Sequence, residues 1–184
     1  MFDVVGGAAG GIAALLALYR VAPSTRLLDT AISCGDHLLT HARSMPSGCG
    51  WVIKGEEEPL TGFAHGNAGI ALMLLRLWAI SGRERFRQSA LAAISYERSL
   101  FSAREGNWPD LRLASLARMP GAAKQESRGE QDYPYITAWC HGAPGIGLAR
   151  LACLHYMDDP AIRAELEAAT RTTLAAGFGG NHSL

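Results

Sequence analysis

Apolar positions along the chain alternate between two kinds of segment, and the alternation occurs three times. Segments of the first kind are apolar at nearly every position. They read GIAALLALY after Gly10, IALMLLRLW after Gly69 and IGLARLACLHY after Gly145. Such continuous apolarity predicts a helix buried all round. Each is preceded by a Gly-x-x-Gly turn: Gly7 to Gly10, Gly66 to Gly69 and Gly142 to Gly145. Aligned on those turns, Leu16, Leu75 and Leu151 fall in one column.

Segments of the second kind are apolar on one helical face only. The first opens at Ser24, a suitable N-cap residue, and places Leu28, Ala31, Ile32, Gly35, Leu38, Leu39 and Ala42 on one face. The second spans about Arg83 to Phe101 and would bury Phe86, Ala90, Ile94 and Phe101. The third opens with Asp159-Pro160, a cap residue followed by proline at the first helical position, and turns Ile162, Leu166, Ala169 and Thr173 inward.

The repeating unit is therefore an inner apolar helix followed by an outer amphipathic one. Uneven spacing excludes a short-period solenoid. The expected class is all-α: three αα-hairpins stacked into a curved solenoid or, on closure, an α/α toroid. Residues between Gly106 and Thr137 interrupt the pattern. Asn107 to Asp110 reads as a turn, Leu111 to Arg118 as a short helix and Gly121 to Gln131 as a polar loop. Tyr133 to Thr137 is then an extended approach to Trp139-Cys140-His141.

Composition narrows the function classes. The chain has 184 residues, enough for one domain with a sizeable core. Its 17 basic and 17 acidic side chains cancel, which argues against a nucleic-acid partner. Val4 to Tyr19 is apolar but shorter than the roughly 20 residues a bilayer requires, and Asp3 replaces the positive start of a signal peptide. No transmembrane segment is expected. Four cysteines without a CxxC pair indicate a reducing, cytoplasmic compartment.

The chemistry should lie at the glycine turns. In stacked hairpins every inner helix runs the same way, so the turns before them gather at one end. That end would carry Asp3, His65, Cys140 and His141. His65 and His141 each directly precede the first glycine of their turns. A helix N-terminus favours a carboxylate or thiolate nearby. Gly-x-x-Gly before an apolar helix is also a plain packing device, with His65 a turn residue and Cys140 a small hydrophobe. The rival cluster Cys34, His37 and His41 has ligand-like spacing, but it lies on the order of 100° from the centre of the apolar stripe, facing solvent. Cys49 and Cys153 are expected to be structural.

Gly62-Phe63-Ala64-His65-Gly66-Asn67-Ala68-Gly69 and Trp139-Cys140-His141-Gly142-Ala143-Pro144-Gly145 resemble two signature motifs of the lanthionine synthetase C-like (LanC-like) cyclases. Asn107-Trp108-Pro109-Asp110-Leu111-Arg112 and the Trp-Cys-His-Gly form are most similar to the carboxyl-terminal cyclase domain of class II lanthipeptide synthetases. The resemblance implies an α/α toroid with one zinc ion. It also implies addition of precursor-peptide cysteine thiols to dehydroalanine or dehydrobutyrine, closing thioether rings. By the same motifs Cys140 is a zinc ligand, His65 the acid/base for the enolate, and Asp3 an acidic residue of the same cavity. His141 and Trp139 are cavity or substrate residues.

The family's later Cys-His-Gly motif, with two further zinc ligands, would fall just beyond Leu184. The expectation is therefore a partial cyclase domain over residues 1–184, truncated at both ends, with an incomplete zinc site and inactive alone. Two alternatives stay open: another α/α-toroid enzyme, of prenyltransferase or glycosidase type, and a non-catalytic helical scaffold. A glycosidase needs paired acids, and only Asp3 is placed for that.

Overall fold

A computed structural model of the chain describes residues 1–112 and 133–177. The polar loop expected over Gly121 to Gln131, most of the helix expected over Leu111 to Arg118, and the tail after Gly177 lie outside these residues. The described residues are all-α apart from one small hairpin of strands. Helices α1 (Ala8–Val21) and α2 (Thr25–Thr40) form the first αα-hairpin, α3 (Asn67–Ser81) and α4 (Glu84–Ser99) the second, α5 (Ala143–Cys153) and α6 (Pro160–Ala176) the third. Each helix packs on its hairpin partner, and α3 lies between α1 and α5.

The expected periodicities explain most of this. On α2 the residues Ala31, Ile32, Gly35 and Leu38 are buried, with Leu28 and Leu39 partly so. Gly35 lets α2 approach closely, since a Cβ there would stand 2.5 Å from the Leu77 side chain and 2.7 Å from Phe86. Helix α3 ends at Gly82, whose left-handed backbone (φ 65°) closes the last turn through its N–H on the Trp78 carbonyl. On α6, Asp159 caps the helix by accepting from the Ala161 amide at 2.8 Å, and Pro160 takes the first position as expected.

Three expectations need correction. Ser24 stands at the N-cap of α2, but its side chain makes no capping bond. Only α3 is buried all round: α1 leaves Leu18 and Val21 exposed, and α5 leaves Leu148 and Leu151 exposed. Those two helices flank the row, and among the described residues nothing covers their outer sides. On α6 the inward face is centred on Ile162, Glu165, Ala168 and Ala169, with Leu166 and Thr173 only half-buried. Glu165 on that face pairs with the buried Arg150 of α5.

Between the first two hairpins lies a two-stranded antiparallel sheet, β1 (Arg43–Met45) and β2 (Gly48–Gly50), in the register Arg43↔Gly50. It seats against α4, where Gly48 comes so close that a Cβ would lie 2.0 Å from the Ala92 carbonyl oxygen. Trp51, just after it, is fully buried and donates its indole N–H to the Leu38 carbonyl at 2.8 Å. A second, smaller core lies under the third hairpin, where Trp108 packs with Ala68, Ala143, Ile146 and Ala169.

Candidate active site at the glycine turns

The three turns are joined by backbone hydrogen bonds. Val4 N–H donates to the Ala64 carbonyl at 3.1 Å, and Phe63 and Ala64 N–H both donate to the Cys140 carbonyl, at 3.0 and 3.3 Å. Glycine makes that contact possible. Gly62 has φ 102°, and a Cβ there would stand 2.6 Å from the Cys140 carbonyl oxygen. At Gly142 (φ 74°) a Cβ would meet the Ile136 carbonyl oxygen at 1.9 Å. The turns thus gather at one end, as expected from hairpin stacking.

Two of the anticipated side chains meet directly. His65 Nδ1 lies 2.8 Å from Asp3 Oδ2, and Gly6 N–H donates to Asp3 Oδ1 at 2.8 Å. Asp3 is almost wholly buried. Burial alone would raise its pKa, but the hydrogen bonds from His65 and Gly6 outweigh it and hold the carboxyl below its usual range. His65 is half-exposed. The His65 and His141 rings lie nearly parallel with centroids 6.2 Å apart.

His141 is buried, and burial, reinforced by the charge of Arg112, pushes its pKa down to about 4. It is therefore a neutral imidazole near pH 7, and its buried Nε2 has no hydrogen-bond partner among the described residues. Cys140 is a half-buried free thiol, and Trp139 beside it is half-exposed.

The segment read as a simple turn proves to be part of the site. Asn107 Oδ1 accepts from the Ala143 amide at 2.7 Å and from the Trp108 amide at 2.8 Å, so it caps α5 from a distant stretch of chain. Thr61 donates its hydroxyl to the Pro109 carbonyl at 2.6 Å, tying this segment to the His65 turn. Asp110 is buried and holds Arg112 through two oxygens, Nε at 3.0 Å and Nη2 at 2.7 Å. Burial opposes the Asp110 charge, but Arg112 more than offsets it and keeps the carboxyl low. The charge on Arg112 acts on His141. Sequence reasoning missed Asp110 and Arg112 as site residues. The available signal was an acid and a base two residues apart, directly after a buried Trp-Pro.

Metal-binding capacity among the described residues is limited. Cys140 is chemically suited to be one thiolate donor, but no group of three or more His, Cys, Asp or Glu able to hold a metal occurs among the described residues. Cys34, His37 and His41 do not form such a group either. The two imidazoles are exposed and tilted against each other with centroids 4.3 Å apart, and both lie against Phe2. Cys153 is buried, which pushes its thiol up to about 11 and leaves it inert. Among the described residues no helix is long and apolar enough to cross a membrane.

The family model described as Lanthionine synthetase C-like protein matches the chain over residues 1–184. No curated protein matches it.

Proposed function

The chain belongs to the lanthionine synthetase C-like family, and we propose that it adds cysteine thiols of a precursor peptide to dehydroalanine or dehydrobutyrine, closing thioether rings. The observation that supports this most is the convergence of the Asp3–His65 pair with the Cys140–His141 turn through direct backbone bonds.

In this reaction a sulfur–carbon bond forms at the alkene β-carbon. The π electrons pass to the α-carbon and its carbonyl, and the proton lost by the thiol is replaced by one delivered to the α-carbon. His65 is suited to that delivery. Its Nδ1–H donates to the ionised Asp3, which fixes the ring and leaves Nε2 to carry the mobile proton. Arg112, held in place by Asp110 and near enough to act on His141, is a candidate positive charge for the developing enolate. Trp139, half-exposed beside Cys140, offers an aromatic surface to the peptide.

Zinc is the proposed cofactor, with Cys140 as one ligand and the other donors outside the described residues. When bound, it supplies the acidity that converts a peptide thiol to thiolate. A glycosidase-type reaction is less well supported, because it needs one carboxyl with a raised pKa. Asp3 and Asp110 are both held ionised.

The test is to incubate the intact protein with a dehydrated precursor peptide and count free thiols by alkylation and mass spectrometry. Progressive thiol loss at constant peptide mass is expected. Unchanged thiol content would overturn the assignment.

A further inference from the structure

One carboxylate outside the glycine turns joins the two halves of the site. Glu97, on the outer helix α4, is fully buried. Its Oε1 accepts from the Gly62 amide at 2.9 Å and from the Ala68 amide at 3.2 Å. The first lies in the turn that carries His65, and the second is one of the free N–H groups at the start of α3. Its Oε2 accepts from Arg150 Nη2 at 2.9 Å. Arg150 belongs to α5, the helix that follows Cys140, and is also fully buried. Arg150 in turn donates to Glu165 of α6, which receives Arg98 of α4 as well. Four buried or half-buried ionisable side chains thus link α4, the His65 turn, α5 and α6; burial pushes the Glu97 carboxyl up, and Arg150 and the Gly62 amide oppose that.

Stability alone is a poor reason for this arrangement. A buried ion pair can usually be replaced by apolar residues of similar volume without loss, whereas removing one partner is strongly destabilising. What apolar residues could not replace is the oxygen that receives two amides at the base of the His65 turn. That same turn donates Phe63 and Ala64 N–H to the Cys140 carbonyl. Displacing it would move His65 relative to Cys140.

Resting on the cyclase assignment above, we propose that Glu97 is a positioning residue. Its Oε1 sets the Gly62–Gly66 turn, and with it the placing of His65 against Cys140, while Arg150 supplies the counter-charge that makes a carboxylate tolerable there. Glu97 does not touch substrate.

Two double variants of the intact protein separate positioning from packing. Glu97→Leu with Arg150→Met removes both charges and the acceptor oxygen. Glu97→Gln with Arg150→Met removes both charges and keeps the oxygen. Both should fold, as judged by thermal melting. The Leu/Met variant should lose about 10²-fold in kcat with little change in KM, the size expected for misplacing a catalytic group by about 1 Å. The Gln/Met variant should stay within about threefold of wild type. The His65 ring resonances in NMR spectra should move in the Leu/Met variant and stay in the Gln/Met variant.

A folded Leu/Met variant with wild-type kcat and unmoved His65 signals would overturn the proposal. So would equal losses in the two variants at equal melting temperature. If the Leu/Met protein does not fold, Glu97→Asp, one methylene shorter with its charge intact, takes its place with the same expected loss and the same contrary result. Absence of thioether formation by the wild type would count against the cyclase assignment, and the His65 resonances would still decide the positioning claim.

Discussion

The His65 turn and the Cys140 turn occupy equivalent places in their hairpins but are held very differently. The His65 turn leads into a helix buried from Asn67 to Leu75. It is tied to Asp3 on one side and to Glu97 below, and Asn67 donates its side-chain amide to the Cys49 carbonyl at 2.8 Å. The Cys140 turn has Trp139 half-exposed and leads into a helix whose Leu148 and Leu151 are exposed. Among the described residues its cysteine also has no companion set of metal donors. The contrast separates two chemical tasks. On the proposed function, the Asp3–His65 pair that would handle the proton is already assembled within the described residues, whereas Cys140 has no companion donors there.

The largest effect that would sharpen this contrast is loss of the proposed proton carrier. His65→Asn should lower the rate of thioether formation by about 10²–10⁴-fold. Zinc content should be unchanged, as measured by metal analysis beside mass-spectrometric turnover. Equal loss of zinc and activity would mean that the two turns do not divide the work.

Next in size is the core that the two turns share. Trp108 is fully buried between Ala68 of α3 and Ala143 and Ile146 of α5. Trp108→Ala should cost about 3–5 kcal/mol in denaturant unfolding. A loss below about 1 kcal/mol would show that the turns are not packed on a common centre.

A smaller effect should follow Asn107→Ala, which leaves the buried Ala143 amide without its acceptor. The expected loss is about 1–3 kcal/mol, or about 2–4 °C in melting temperature for each kcal/mol in a protein of this size.

The smallest effect concerns Asp3. Its folded carboxyl pKa is depressed, so the stability it contributes is fully present above the unfolded value of about 3.9 and is lost as pH falls through the folded value. The stability difference between wild type and Asp3→Asn should therefore be constant from about pH 5 upward and shrink below about pH 4. A difference that grows on acidification would contradict the ionised Asp3–His65 pair.

How much of this was legible in the sequence follows from which forces leave a periodic trace. The six helices and the meeting of the glycine turns were readable, because burial writes a helical period and the turns share a spacing. Placing Asp3, His65 and His141 at one end followed from that alignment. The exposure of Leu18, Leu148 and Leu151 was not readable, since an apolar helix does not say on which sides it has neighbours. The β1–β2 hairpin escaped because strands of three residues, with glycine at both ends of β2, show no alternation. Glu97, Arg150 and Glu165 were passed over because a charged residue on a helix normally marks its solvent face. Their pairing depends on contacts between residues 15 to 67 positions apart.

The central claim, that Cys140 is a metal donor beside the Asp3–His65 pair, is tested most directly by zinc analysis of the intact protein before and after Cys140→Ala. The account predicts about one zinc per chain in the wild type and loss of that zinc in the variant with the helical fold retained. Zinc bound equally by the variant, or absent from the wild type, would contradict it.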